Sequence, residues 1–140
     1  MQKPQITGNR ITIPSNQEFL TDVDMFIEGI LRGYGADESI IADIAISVSE
    51  LVNNAINHGN ARNDHKNVVV EINRNTSVVT ISVLDEGAGF NPDTLADPLA
   101  EENLLKEVGR GIFIVKSLMD TVDIKPSPHG TKIVMTKSIK

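Results

Sequence analysis

The sequence predicts an α+β fold: a two-layer α/β sandwich in which a mostly antiparallel, mixed sheet of about five strands carries about three helices on one face. Three observations predict it. Two long stretches with apolar residues every three or four positions stand early in the chain, the spacing of helices with one buried face. Two runs rich in β-branched residues, 68–72 and Val78–Leu84, then follow each other closely enough to form a hairpin. A third apolar helix pattern separates that hairpin from two further strand patterns. At 140 residues, 40% hydrophobic and 23% charged, the chain suits one compact domain with one core, so residues 1–140 are expected to be a single unit.

In order, Arg10–Pro14 reads as a short strand ended by Pro14 and Ser15. From Gln17 the apolar positions Phe19, Val23, Phe26, Ile27, Ile30 and Leu31 describe a helix, which Gly33 and Gly35 stop. Asp37 is placed to cap a second helix, whose wide apolar face runs from Ile40 to Ile56. His58 in its last turn suits the helix dipole, and Gly59 offers a left-handed stop. Asn73 to Thr76 is the expected hairpin turn. Residues 91–107 carry Pro92, Pro98 and scattered leucines without a sustained period, which predicts a short helical turn and a loop. A short helix is expected from Gly111 to Met119, then strands over 121–125 and 131–136 joined through 126–130.

Composition narrows the function. The net charge is −6, from 19 acidic against 13 basic residues, which argues against a duplex nucleic-acid surface. It leaves phosphate ligands open, because backbone N–H groups and a bound metal supply positive potential locally. With no cysteine, thiolate nucleophiles, disulfides and cysteine metal sites are excluded. No signal-peptide pattern opens the chain and no run reaches the ~18 apolar residues of a membrane span, so a cytoplasmic protein without membrane contact is the expectation.

Three motifs carry chemistry. On the second helix Glu50, Asn54, Asn57 and His58 fall three and four residues apart and share a stripe, continued by Ser47 and Asp43. A carboxylate beside a carboxamide suits magnesium, with Asn54 offering an oxygen and Glu50 free to accept a proton. A lone Glu-x3-Asn is more often a solvated helix face. The second motif, Asp85-Glu-Gly87-Ala-Gly89, ends a strand in a glycine turn. Gly87 and Gly89 permit positive φ and close approach, and Asp85 can accept a hydrogen bond from a buried amine. The same residues also make an ordinary turn with no ligand. In the third, Gly109-Arg110-Gly111 stands where the short helix is expected to begin, a place where unpaired N–H groups bind anions; a plain flexible helix entrance is equally compatible. Neither a Walker loop nor a dinucleotide fingerprint is present.

Taken together and in order, the chain resembles the GHKL ATPase superfamily. The boxes are Glu50-Leu-Val-Asn-Asn54-Ala-Ile-Asn-His58-Gly59, Asp85-Glu-Gly87-Ala-Gly89-Phe90, Gly109-Arg110-Gly111-Ile112 and Gly130-Thr131. Among its members the chain is most similar to the small bacterial anti-sigma factor serine/threonine kinases, or switch kinases, by its length and by the run from Gly111 to Asp120.

The resemblance implies the Bergerat ATP-binding fold and the cofactors ATP and Mg2+. It implies Asn54 as magnesium ligand and Glu50 as general base. Asp85 would meet the adenine amine, supported by Thr131, with Gly87 and Gly89 near base and ribose. His58 and Ile112 belong to the nucleotide-binding set by their places in the boxes. Gly109, Arg110 and Gly111 would border the phosphates, and 96–108 would be a lid; before the glycine pair this chain has Glu107-Val108 where some relatives have a basic residue for the γ-phosphate, leaving Arg110 or Lys106 as the substitutes. The implied partners are a sigma factor and an anti-sigma factor antagonist that the kinase phosphorylates. A homodimer is also implied, for which the strand around Ile11–Ile13 offers an open edge. The alternative is a non-catalytic ATP-binding anti-sigma or adaptor module.

Overall fold

The computed structural model describes residues 3–61, 63, 65–87 and 102–139, with the backbone alone over 102–108. Gly8, at φ +59°, turns the chain back after three strand residues. It thereby joins β1 (Gln5–Thr7) to β2 (Arg10–Pro14) with Thr7 opposite Arg10. After a helical turn at Gln17–Phe19 come α1 (Leu20–Gly33) and α2 (Glu38–Asn54), the latter continuing as a π-turn over Ala55–Gly59. The hairpin β3 (Asn67–Asn75) and β4 (Val78–Leu84) follows, then α3 (Glu102–Leu118), β5 (Thr121–Ser127) and β6 (Gly130–Ser138). The sheet order is β1-β2-β3-β4-β6-β5, and every pair is antiparallel.

Alternation sets the two faces of the sheet. Ile11 and Ile13, Val68, Val70 and Ile72, Val79, Ile81 and Val83, and Ile133 and Met135 all point into one core. Against them pack Val23, Ile27 and Leu31 of α1, Ile41, Ile44, Val48, Leu51 and Val52 of α2, and Ile112 and Val115 of α3. By length and composition the stretch Glu38–Gly59 could cross a membrane, but its apolar stripe is the centre of this core.

The two-layer α+β architecture is the expected one, with differences that have local causes. There are six strands rather than five, and the sheet is antiparallel throughout rather than mixed among the described residues. β1 escapes detection because its three residues are all exposed and contain one apolar side chain. The N-terminal edge of the sheet is therefore β1, and the Ile11–Ile13 strand lies inside it. The hairpin turn is Thr76-Ser77 rather than 73–76, since Asn73, Arg74 and Asn75 extend the ladder and Thr76 takes φ +60°. β5 runs on through Pro126, which an outermost strand tolerates. At the end of α1, Gly35 takes φ +81° and Ala36 N–H reaches Leu31 O at 3.1 Å, the expected stop. Asp37 stands at the α2 cap without a side-chain cap bond.

Gly59 is not the left-handed stop of α2. The helix ends instead in the π-turn closed by Asn60 N–H to Ala55 O at 2.8 Å, and Ala61 takes the positive φ of 51°. The largest difference is α3, which begins at Glu102 rather than at Gly111. Leu104, Leu105, Val108, Ile112, Val115 and Met119 recur at helical spacing through the glycine pair. Sustained periodicity outweighs the roughly 1 kcal/mol that each glycine costs a helix.

Candidate active site

At the end of β4 the antiparallel ladder continues one step further, with Asp85 N–H bonded to Thr131 O at 3.0 Å. This pins Asp85 at the mouth of the core, where it is 7% exposed. Its Oδ1 accepts two backbone N–H groups, from Gly87 at 3.0 Å and Thr131 at 3.1 Å. Burial pushes the carboxyl pKa above its usual range, while those two bonds and the charge of Lys66 draw it back in part. Both bonds fall on Oδ1; Oδ2 lies against Gly59, where a Cβ would collide with it.

Close approach explains three glycines around this carboxylate. A Cβ on Gly87 would strike the Gly59 carbonyl, and one on Gly130, at φ +153°, would strike the Asp85 carbonyl. Gly59, Gly87 and Gly130 thus let the end of α2 and the β4 and β6 ends converge on Asp85. Gly87 has its expected place but not the expected positive φ; its contact is with Gly59. Gly89 lies outside the described residues.

The cleft above is walled by Leu51, Asn54, Ala55, His58 and Gly59 on α2 and its π-turn, and by Val83, Asp85, Thr131 and Ile133 on the sheet. Two buried polar atoms in these walls, Asn54 Nδ2 and Thr131 Oγ1, have no hydrogen-bond partner among the described residues. Such a group costs about 1–3 kcal/mol when left unmatched, so two of them on residues that line one cleft mark a place suited to a polar ligand. Glu50 stands one turn above Asn54. A Cβ on Gly111 would lie 2.9 Å from Asn54 Nδ2 and 3.2 Å from Glu50 Oε2, so α3 crosses α2 directly over this pair.

The structure therefore brings together Glu50, Asn54, His58, Asp85, Gly87, Gly111 and Thr131. It changes three expectations. Gly109, Arg110 and Gly111 sit inside α3 rather than at its start, so their N–H groups belong to the helix and form no open anion site. Ile112 is a core residue, 4% exposed, and Arg110 is exposed. Of the proposed lid, 96–101 lies outside the described residues and 102–108 is helix. On the α2 stripe, Asn57 donates to Asn53 at 3.1 Å and accepts from Gln17 at 3.3 Å, while buried Ser47 donates to Asp43 O. Both therefore leave the cleft to Glu50, Asn54 and His58.

One participant carries no signal in the sequence. Asn60, 1% exposed, joins the end of α2 to Ser15, Asn67 and Glu86. An asparagine after a glycine reads as loop, and only the tertiary contacts distinguish it. No group of three or more His, Cys, Asp or Glu residues that could hold a metal occurs among the described residues.

A carboxylate-floored cleft between a helix and the end of an antiparallel sheet defines the class of nucleotide-binding domains to which the chain belongs. Residues 13–137 match the family described as the histidine kinase-like ATPase domain, and the chain is a member of it. More particularly, it belongs with the RsbW serine-protein kinases. It is 33% identical over 137 residues to serine-protein kinase RsbW of Staphylococcus aureus, covering 91% of this chain and 84% of that one. It is accordingly a serine-protein kinase built on an ATP-binding domain. The RsbU and RsbW domains of Rv1364c from Mycobacterium tuberculosis share the fold with a TM-score of 0.71 at 24% identity. That match covers 99% of this chain, which spans about a third (32%) of the longer protein. In the SiaB–SiaC complex from Pseudomonas aeruginosa the fold recurs with a TM-score of 0.64 at 14% identity, covering 96% and 90% of the two chains.

Proposed function

We propose that this single domain moves the γ-phosphoryl group of ATP to a serine or threonine hydroxyl of a protein partner, using the cleft between α2 and the β4 and β6 ends. The observation that carries the reading is one cleft that holds the buried Asp85 carboxylate together with two buried atoms, Thr131 Oγ1 and Asn54 Nδ2, that have no hydrogen-bond partner among the described residues. The residues present suit Mg-ATP. Asp85 Oδ2 is an acceptor for the exocyclic amine of adenine, and Thr131 supplies a hydroxyl beside it. The apolar walls from Leu51, Ala55, Val83 and Ile133 suit a flat base. Asn54 offers its amide oxygen to magnesium, and His58 lines the same wall. When bound, the cation neutralises phosphate charge and orients the phosphates for in-line attack.

Glu50 is the base in this reading. It removes the proton from the acceptor hydroxyl as that oxygen bonds to the γ-phosphorus, and ADP leaves with the bridging oxygen. A positioned base contributes about 10²–10⁴-fold. Glu50→Ala should bind ATP nearly as the parent does while transfer falls by at least about 100-fold. Transfer of label from γ-labelled ATP to serine-containing antagonist proteins measures this; equal activity in the variant removes Glu50 from the mechanism. Gly87 and Gly111 hold the cleft's shape.

The partners inferred are an anti-sigma factor antagonist, as phosphoacceptor, and a sigma factor held in alternation with it in the cytoplasm. The kinship to serine-protein kinase RsbW supports the first. The neighbour crystallised as the SiaB–SiaC complex shows a chain of this fold binding a partner protein. We also infer a homodimer, with the open edge of β1 as the available strand.

A further inference from the structure

We infer that Asn60 is the positioning residue of the base-binding end of the cleft, locking the Asp85–Gly87 turn onto the end of α2 so that Asp85 Oδ2 keeps a fixed place. This rests on the reading of that end as the adenine site.

The side chain is buried and its bonding is complete in the donor sense. Nδ2 donates to Ser15 Oγ at 2.7 Å and to Asn67 O at 2.9 Å, while Oδ1 accepts from Glu86 N–H at 2.7 Å. Its backbone N–H closes the π-turn on Ala55 O at 2.8 Å, and its own carbonyl accepts from Asn63 N–H at 3.0 Å. The amide orientation is fixed by its partners. Reversed, it would set Oδ1 against the Asn67 carbonyl and two N–H donors against each other at Glu86.

Four segments meet in this one side chain: the end of β2, the start of β3, the turn after β4, and the extension of α2. A second link ties two of them, since the Glu86 carboxylate accepts from Asn67 N–H. Asn60 does not touch Asp85. It holds Glu86, the next residue, and the Gly87–Gly59 contact leaves no slack between turn and helix. Alanine at 60 leaves the part-buried Glu86 N–H and Asn67 O without their side-chain partner. The turn is then free to drift, and with it the acceptor that distinguishes an amine from a carbonyl on a purine.

Calorimetric titration with ATP and with GTP tests this on Asn60→Ala, Ser15→Ala and Asp85→Asn, each with a melting curve. Asn60→Ala is expected to weaken ATP binding tenfold or more and GTP binding less than threefold, narrowing the preference. Ser15→Ala keeps the Glu86 and Asn67 bonds; it should melt earlier yet hold the preference within threefold. A folded Asn60→Ala whose ATP-to-GTP ratio stays within twofold overturns the inference. If Asp85→Asn also leaves the ratio unchanged, the adenine-site reading has failed and the inference falls with it; a change in Asp85→Asn alone overturns only Asn60. Hydrogen exchange on the wild-type chain tests the same point independently of how the variants fold. ATP, and not inorganic triphosphate, should slow the Glu86 amide and those of residues 55–60 together. Independent exchange of the two segments contradicts the coupling.

Discussion

Asp85 is the residue at which the cleft stores an imbalance. Its carboxylate is buried, Oδ1 is matched by two N–H groups, and Oδ2 lies against Gly59 at the cleft wall. Because burial raises its pKa, the folded chain holds this proton to a higher pH than the unfolded chain, whose aspartate titrates at about 3.9. Its contribution to stability is thus complete below that value and is lost as pH rises through the raised folded value. Asp85→Asn removes this dependence, so denaturant midpoints of parent and variant should converge toward pH 4 and separate in favour of the variant above it. A constant difference across that range contradicts the burial argument. The same variant should discriminate ATP from GTP less well, and unaltered preference would take the adenine role away from Asp85. At this scale Glu50, Asn54 and His58 are legible in the sequence, because helical spacing alone sets them on one wall. Asn60 and the mutual contact of Gly59 and Gly87 are not, since the partners lie 26 and 28 positions away and nothing local encodes the approach.

At the scale of elements, α3 carries the difference that matters for the site. Apolar residues at helical spacing before and after the glycines make one helix, yet the two glycines experience opposite surroundings. A Cβ on Gly109 meets nothing within 4 Å among the described residues, whereas one on Gly111 presses on Asn54 and Glu50. Gly109→Ala should therefore stabilise the ligand-free protein by about 0.5–1 kcal/mol. Gly111→Ala should destabilise it and perturb the cleft. Thermal melts of the two variants check this; a loss of stability in Gly109→Ala would mean that the helix does not pass through that residue. The strand elements were more legible than the helix ends. β3 and β4 announce themselves by their runs of β-branched residues, while β1 offers three exposed residues, and only pairing with β2 makes it a strand.

At the scale of the whole molecule, three helices on one face of six strands among the described residues leave the sheet with two outer strands, β1 and β5, of which β5 carries Pro126. A proline lowers the capacity of an edge to pair with another chain. β1 has none, so the proposed dimer would use that edge. Light scattering should give twice the mass of the 15.2 kDa chain, and monomer alone would remove the dimer. The fold class follows from patterning because a one-faced sheet and amphipathic helices have few ways to bury their apolar sides. The site follows only where several weak motifs converge in space. Whether they converge on one nucleotide is tested most directly by calorimetry of ATP, with and without magnesium, on the parent and on Asn54→Ala. One molecule of ATP should bind per chain more tightly with magnesium, and Asn54→Ala should lose that magnesium-dependent gain. Absence of ATP binding in the parent, or an undiminished magnesium effect in the variant, would contradict the account.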